Sequence, residues 1–216
     1  MRYERKYILE EKNICIVSNH LKTLGFFREY PIREVNSIYY DTMNFALFNS
    51  SEAGYSSRAK IRIRWYDNSD KQHLEYKIKE AELGKKNYEN DISIFENCRQ
   101  INMIDKSYSK LINRNIPKVI DCIYYPNLAV SYKRDYLISS DHLTRLTFDY
   151  DIRFAKILNY GNQYKINCWK PAENSVLEIK YNAKTSNQFF LSKLAEQLNL
   201  NLSRFSKYCQ AVQYLY

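Results

Sequence analysis

The chain predicts an α+β fold in which antiparallel strands carry charge on one face while helices pack against the other. Three patterns lead there: two-residue alternation of charged and apolar side chains in several short segments, a polar turn joining two of them, and apolar positions at helical spacing elsewhere. The clearest alternation is R-A-K-I-R-I-R-W-Y, from Arg58 to Tyr66. As a strand it sends Arg58, Lys60, Arg62 and Arg64 to one face and Ala59, Ile61, Ile63 and Trp65 to the other.

The elements follow in order. Met1 to Leu9 alternates and reads as a strand; Ile14, Val17, Leu21 and Leu24 then recur at helical spacing, with Gly25 as the stop. Val35 to Tyr40 is a second strand ended by Asp41-Thr42, and Asn44 to Asn49 reads as one helical turn. After the Arg58 to Tyr66 strand, Asp67-Asn68-Ser69-Asp70 predicts a hairpin turn. The returning strand, His73 to Glu80, puts Glu75, Lys77 and Lys79 on one face. Asp91 to Ile116 reads as helical; Ala129 to Leu137, Thr144 to Phe154 and Ser175 to Tyr181 read as strands; Gln188 to Asn199 has helical periodicity. Charge alternates again in R-L-T-F-D-Y-D (Arg145, Asp149, Asp151), in V-L-E-I-K (Glu178, Lys180), and at Arg134 between Tyr132 and Tyr136. Either a sheet with one solvated face or a sheet closed around a charged interior accounts for the pattern.

With 216 residues, 45% of them hydrophobic, the chain suits one large domain with a sizeable core. Its 33 Lys and Arg against 24 Asp and Glu give +9, so the expected partners are anionic. Cys15, Cys98, Cys122, Cys168 and Cys209 lack metal or redox spacing and are expected as buried free thiols. There is no signal-peptide core and no run long enough to span a membrane, which points to a cytoplasmic or cytoplasm-facing protein. The 21 tyrosines among basic residues raise base stacking as a possibility, but no nucleic-acid motif accompanies them and no nucleic acid is expected.

As an ordered set, R-Y-E-R-K-Y, S-I-Y-Y-D-T, K-I-R-I-R-W-Y, L-E-Y-K, Y-K-R, R-L-T-F-D, V-L-E-I-K and R-F-S-K-Y resemble the VTC domain of polyphosphate polymerases, a branch of the triphosphate tunnel metalloenzymes (the CYTH-like superfamily). The resemblance runs from Arg2 to Tyr208 and implies a single domain over residues 1–216. It implies an antiparallel eight-stranded β-barrel tunnel with a charged interior and helices outside. The implied activity is transfer of the γ-phosphoryl group of ATP to a growing polyphosphate chain, with Mn2+ or Mg2+ as cofactor. ATP, polyphosphate, pyrophosphate or triphosphate would be the ligands. A membrane channel or transmembrane partner would place the protein at the inner face of a membrane.

By the same resemblance, Lys6, Arg62, Arg64, Lys77, Arg134, Arg145 and Lys207 match the catalytic basic lining, Arg204 and Lys86 (with Lys85 adjacent) add phosphate contacts, and Glu178, Glu4 and Asp149 match acidic metal positions. The chemistry agrees. Phosphoryl transfer depends on positioning and on neutralising phosphate oxygens, which guanidinium forks do well, and a hard divalent cation takes carboxylate and phosphate oxygens. Related hydrolytic enzymes open with two glutamates and a lysine; here Arg2 precedes Glu4 and Lys6, which tilts the reading from hydrolysis toward transfer. Triphosphate hydrolysis, nucleotide cyclisation, or a non-catalytic polyphosphate- or inositol-phosphate-binding subunit are the alternatives. From the residues alone, Glu4 also reads as a surface partner of Lys6 or Arg2 and Glu178 as one of Lys180, and Asp149 either assists a metal or orients an arginine.

Overall fold

A computed structural model describes residues 2–69, 71–80, 83–89, 103–115, 122–182, 195–198 and 200–216. Its elements are β1 (Arg2–Glu10), a 3-10 turn (Glu11–Asn13), α1 (Ile14–Thr23), β2 (Phe26–Asp41), α2 (Ala46–Glu52), β3 (Arg58–Tyr66), β4 (His73–Glu80), β5 (Leu83–Glu89), β6 (Met103–Asp105), α3 (Lys106–Asn115), β7 (Tyr125–Ser139), β8 (Thr144–Tyr160), β9 (Gln163–Ile166), β10 (Lys170–Pro171), β11 (Asn174–Asn182) and α4 (Lys207–Leu215). The chain forms two compact units: unit 1 holds Met1–Glu34, Tyr132–Ile152 and Pro171–Phe205, and unit 2 holds Val35–Ser131, Arg153–Lys170 and Ser206–Tyr216. Strands β2, β7 and β8 contribute residues to both.

In unit 1 the strand order is β1-β11-β8-β7-β2. Tyr7, Leu9, Leu146, Phe148, Leu177, Ile179 and Tyr181 bury one face of it against Val17 and Leu21 of α1. Full burial of such a side chain stabilises by about 1.5–3 kcal/mol. Helix α1 stops where Gly25 takes φ +84°, a left-handed conformation that glycine adopts without strain. Cys15 stands exposed on α1.

In unit 2 the order is β8-β7-β2-β3-β4-β5, with β9 pairing both β6 and β8. Counted once each, the strands in the two orders number eight. Ile61, Ile63 and Trp65 of β3 are buried with Leu47 of α2 and Ile112 of α3, as the alternation requires. The β3–β4 hairpin closes through the Ser69 N–H donating to the Tyr66 carbonyl at 3.0 Å, with Asp67 at φ +50°. Its register pairs Arg62 with Glu75 and Lys60 with Lys77.

Several expectations change. Strand β2 begins at Phe26 rather than Val35, because residues 27–34 are exposed or half-exposed and show no apolar face. Met103–Asp105, expected as helix, is a strand paired with β9, with Ile104 fully buried in the core; helix follows only at Lys106. The rest of that helical reading, residues 91–102 and 116, lies outside the described residues, as does most of Gln188 to Asn199, of which 195–197 are helical. Thiol burial holds for Cys209 alone: Cys15, Cys122 and Cys168 are free and exposed, because each stands on a solvent-facing position, and Cys98 is outside the described residues.

Candidate functional site

Directly opposed residues on antiparallel strands share a face, so register converts the sequence alternation into rows. In unit 2 one row is Tyr39, Arg62 and Glu75; its neighbours are Ser37, Arg64 and His73 on one side, and Lys60, Lys77 and Lys86 on the other. On β5 it is Lys86 that pairs with Lys77, while Lys85 pairs with Ile78.

Arg62 is held on three sides. Its Nε and Nη2 meet Glu75 Oε2 at 2.6 and 2.5 Å, its Nη1 donates to the Tyr39 hydroxyl at 3.1 Å, and its guanidinium lies 5.9 Å from the Tyr39 ring centroid. Arg64 is buried, with Nη1 3.8 Å from the same Glu75 oxygen and Nε 3.4 Å from Ser37 Oγ. Burial alone would push the Tyr39 phenol up, but Arg62, Arg64 and Lys207 outweigh it and hold the phenol below its ordinary range.

Helix α4 joins this face. The Tyr39 ring stacks on Tyr208 at 5.1 Å between centroids, and the Tyr208 hydroxyl donates to the Asp41 carboxylate. Asp41, completely buried, also accepts the N–H groups of Leu47 and Phe48 at 2.9 Å, so one carboxylate serves the start of α2 and the docking of α4. Ser206 caps α4, accepting from the Cys209 N–H, and receives the Lys60 ammonium at 2.8 Å. Lys207 opens the helix, Arg58 donates to the Tyr55 carbonyl, and Lys77 is exposed.

In unit 1 the rows are Lys6, Glu178 and Thr147, then Glu4, Lys180 and Arg145, and Asp149 pairs with Val176. Glu178 is 8% exposed and pairs with Lys180. Burial pushes its carboxyl up, yet Lys180, Lys6 and Arg134 together hold it below the ordinary value, so it is ionised at neutral pH. Lys6 stands 3.3 Å from Glu4 and donates to the Phe205 carbonyl at 3.3 Å. Arg134 forks onto Asp149 at 2.5 and 2.7 Å and lies over the Tyr132 and Tyr136 rings at 5.3 and 5.8 Å. Desolvation works against the Arg134 cation, but Asp149, Tyr132 and Glu178 together more than offset it. Arg145 and Arg204 are exposed, and Arg145 reaches Glu29 at 3.4 Å.

The structure thus gathers Arg62, Arg64 and Lys207 in unit 2 and Lys6, Glu178, Glu4, Arg134 and Asp149 in unit 1. Of the three candidate metal positions, Asp149 spends both oxygens on Arg134, and Glu4 and Glu178 each stand beside a lysine. Among the described residues no three His, Cys, Asp or Glu side chains stand together as a ligand group. A cation that keeps most of its coordination for phosphate oxygens and water, with Glu178 as its protein ligand, fits this donor set. Sequence reading missed the anchors Glu75, Glu29 and Asp41. Glu75 was visible on its strand face, but that it sits opposite Arg62 follows only from hairpin register, and nothing in the sequence signals Glu29 as the partner of Arg145.

Comparison with known proteins decides the family. The VTC domain profile matches residues 1–216. The chain belongs to the VTC domain family. No curated protein sequence matches it. Among solved structures it is similar to a candidate adenylate cyclase from Bacillus halodurans (12% identity, 100% of this chain and 97% of the other, TM-score 0.58). It is also similar to the PH1819 protein of Pyrococcus horikoshii (15%, 99% of each chain, TM-score 0.56). A third is a candidate adenylyl cyclase from Hippeastrum described as having a dominant triphosphatase activity (15%, 99% and 96%, TM-score 0.54). At these identities the likeness is one of fold: the VTC chain shares the antiparallel fold of the triphosphate tunnel proteins, as its motifs implied.

Proposed function

We propose that this VTC domain is a metal-dependent polyphosphate polymerase. It would transfer the γ-phosphoryl group of ATP to the terminal oxygen of a polyphosphate chain, breaking the bond to the β-phosphate oxygen and releasing ADP. The observation that carries the reading is the line of cations Lys60, Arg62 and Arg64 along β3, with Lys207 acting on the same Tyr39 as the two arginines, in a chain matched end to end by the VTC profile. Arg62, prepositioned by Glu75 and Tyr39, presents a guanidinium that does not have to be ordered when phosphate arrives. Lys6, Arg134 and Arg145 supply further positive charge in unit 1, and the ionised Glu178 is the carboxylate suited to Mn2+ or Mg2+. When bound, such a cation neutralises phosphate oxygens and polarises the transferred group.

Incubation with ATP and Mn2+, read on a gel stained for polyphosphate, tests the proposal: long polymer is the expected product. Orthophosphate or cyclic nucleotide without polymer would instead assign hydrolysis or cyclisation. Glu178→Gln should abolish turnover while tripolyphosphate binding persists; a purely binding subunit would show no turnover in either form. Among the described residues no helix is long and apolar enough to cross a membrane. We propose a membrane channel or transmembrane partner, testable by whether the protein co-purifies with the membrane fraction.

A further inference from the structure

One polar atom on the unit 1 face has no hydrogen-bond partner among the described residues. The Thr147 hydroxyl is shielded from solvent and makes no hydrogen bond among the described residues, although its residue pairs directly with Glu178, which in turn pairs with Lys6. Its neighbours along the strand face are Arg145, paired with Glu29, and Asp149, whose two oxygens both accept from Arg134. The charged groups around Thr147 have therefore found partners while the hydroxyl has not. A buried hydroxyl left unbonded costs about 1–3 kcal/mol, so a valine, equal in shape, would be the more stable choice on structural grounds. A threonine retained there is explained by a partner that arrives from outside the protein.

We propose that the Thr147 hydroxyl is a substrate-contacting group that donates its hydrogen bond to a phosphate oxygen of the bound anion, beside the cations of Lys6 and Lys180. The inference deepens the function proposed above and rests only on its phosphate-binding part. The hydroxyl suits this role: it is a neutral donor whose hydrogen rotates to meet the acceptor, so it adds a contact without adding charge next to the Glu178 carboxylate. It also separates two demands that usually coincide, because the group that improves binding is one that burdens the folded state.

The test is a pair of measurements on Thr147→Val and Thr147→Ser. Titration calorimetry with tripolyphosphate in the presence of EDTA should show the valine variant binding about tenfold more weakly, the value of one net hydrogen bond to a charged acceptor, with the serine variant close to wild type. Thermal melting without ligand should show the valine variant at least as stable as wild type. Equal tripolyphosphate affinity in wild type and valine variant would overturn the inference, as would a loss seen only when Mn2+ is present, since that places the hydroxyl on the metal. Weaker binding together with a lowered melting temperature would also overturn it, by making the threonine structural. Failure of the polymerase reading looks different: wild type then binds tripolyphosphate but forms no polymer, and the Thr147 comparison still reads out.

Discussion

In unit 2 two arginines converge on one carboxylate, Glu75, and aromatic rings and a helix start surround them; in unit 1 the carboxylates Glu4 and Glu178 stand among lysines, and the deeply held Arg134 has its own aspartate. The difference separates two uses of acid on a basic surface. Glu75 and Asp149 act on arginines, fixing where the guanidinium groups sit, whereas Glu178 is flanked by the Lys180 and Lys6 ammonium groups, which hold it ionised. A lysine offers a point charge on a flexible stem, so it tunes the carboxylate without locking it.

The largest effects should come from stranding a buried guanidinium. Asp149→Ala removes the partner of Arg134, whose side chain is 12% exposed, and should destabilise by about 3–5 kcal/mol in urea melts. Glu75→Ala should do the same through Arg64, whose side chain is 7% exposed. If either variant melted like wild type, the anchoring role assigned to that acid would be wrong.

Next in size is Arg62→Lys, which keeps the charge but loses the fork onto Glu75 and the bond to Tyr39. Tripolyphosphate affinity should fall by about 10- to 100-fold. Arg145→Ala, at a half-exposed side chain paired with Glu29, should cost only a few-fold at low salt and nothing measurable near 1 M salt. Equal losses at the two sites, measured by calorimetry, would erase the distinction between a prepositioned and a solvated arginine.

The smallest effect concerns pH. The Glu178 carboxyl is held below its ordinary value of 4.5 in the folded protein, so its share of stability is present at neutral pH and is lost as pH falls through the folded value. The stability profile of wild type should therefore drop more steeply below about pH 4.5 than that of Glu178→Gln, and superimposable profiles would remove the cationic flank from the account.

How far the sequence reads through to this arrangement differs between strands. Strands β3 and β4 were legible to the residue because each alternates strictly and a polar turn joins them. The first half of β2 was not: it includes Pro31, and its residues from Phe27 to Glu34 show neither a buried face nor a hydrophobic one. Short β6, β9 and β10 carry too few residues for any period to register. The basic positions of the site could be picked out by parity and by motif, but the pairings Arg62–Glu75, Arg145–Glu29 and Tyr208–Asp41 depend on register and on contacts far apart in the chain, which local patterns do not encode.

The bond from Tyr208 to Asp41 joins residues 167 positions apart. During synthesis the Asp41 carboxylate and the Tyr39 ring emerge from the ribosome long before their partner exists, and Arg62 appears while the ring meant to hold it lacks its own backing. The packing that backs the Tyr39 ring and, through it, Arg62 is thus withheld until Tyr208 has been translated, so a nascent chain completes the setting of its β3 arginine only late in its own making.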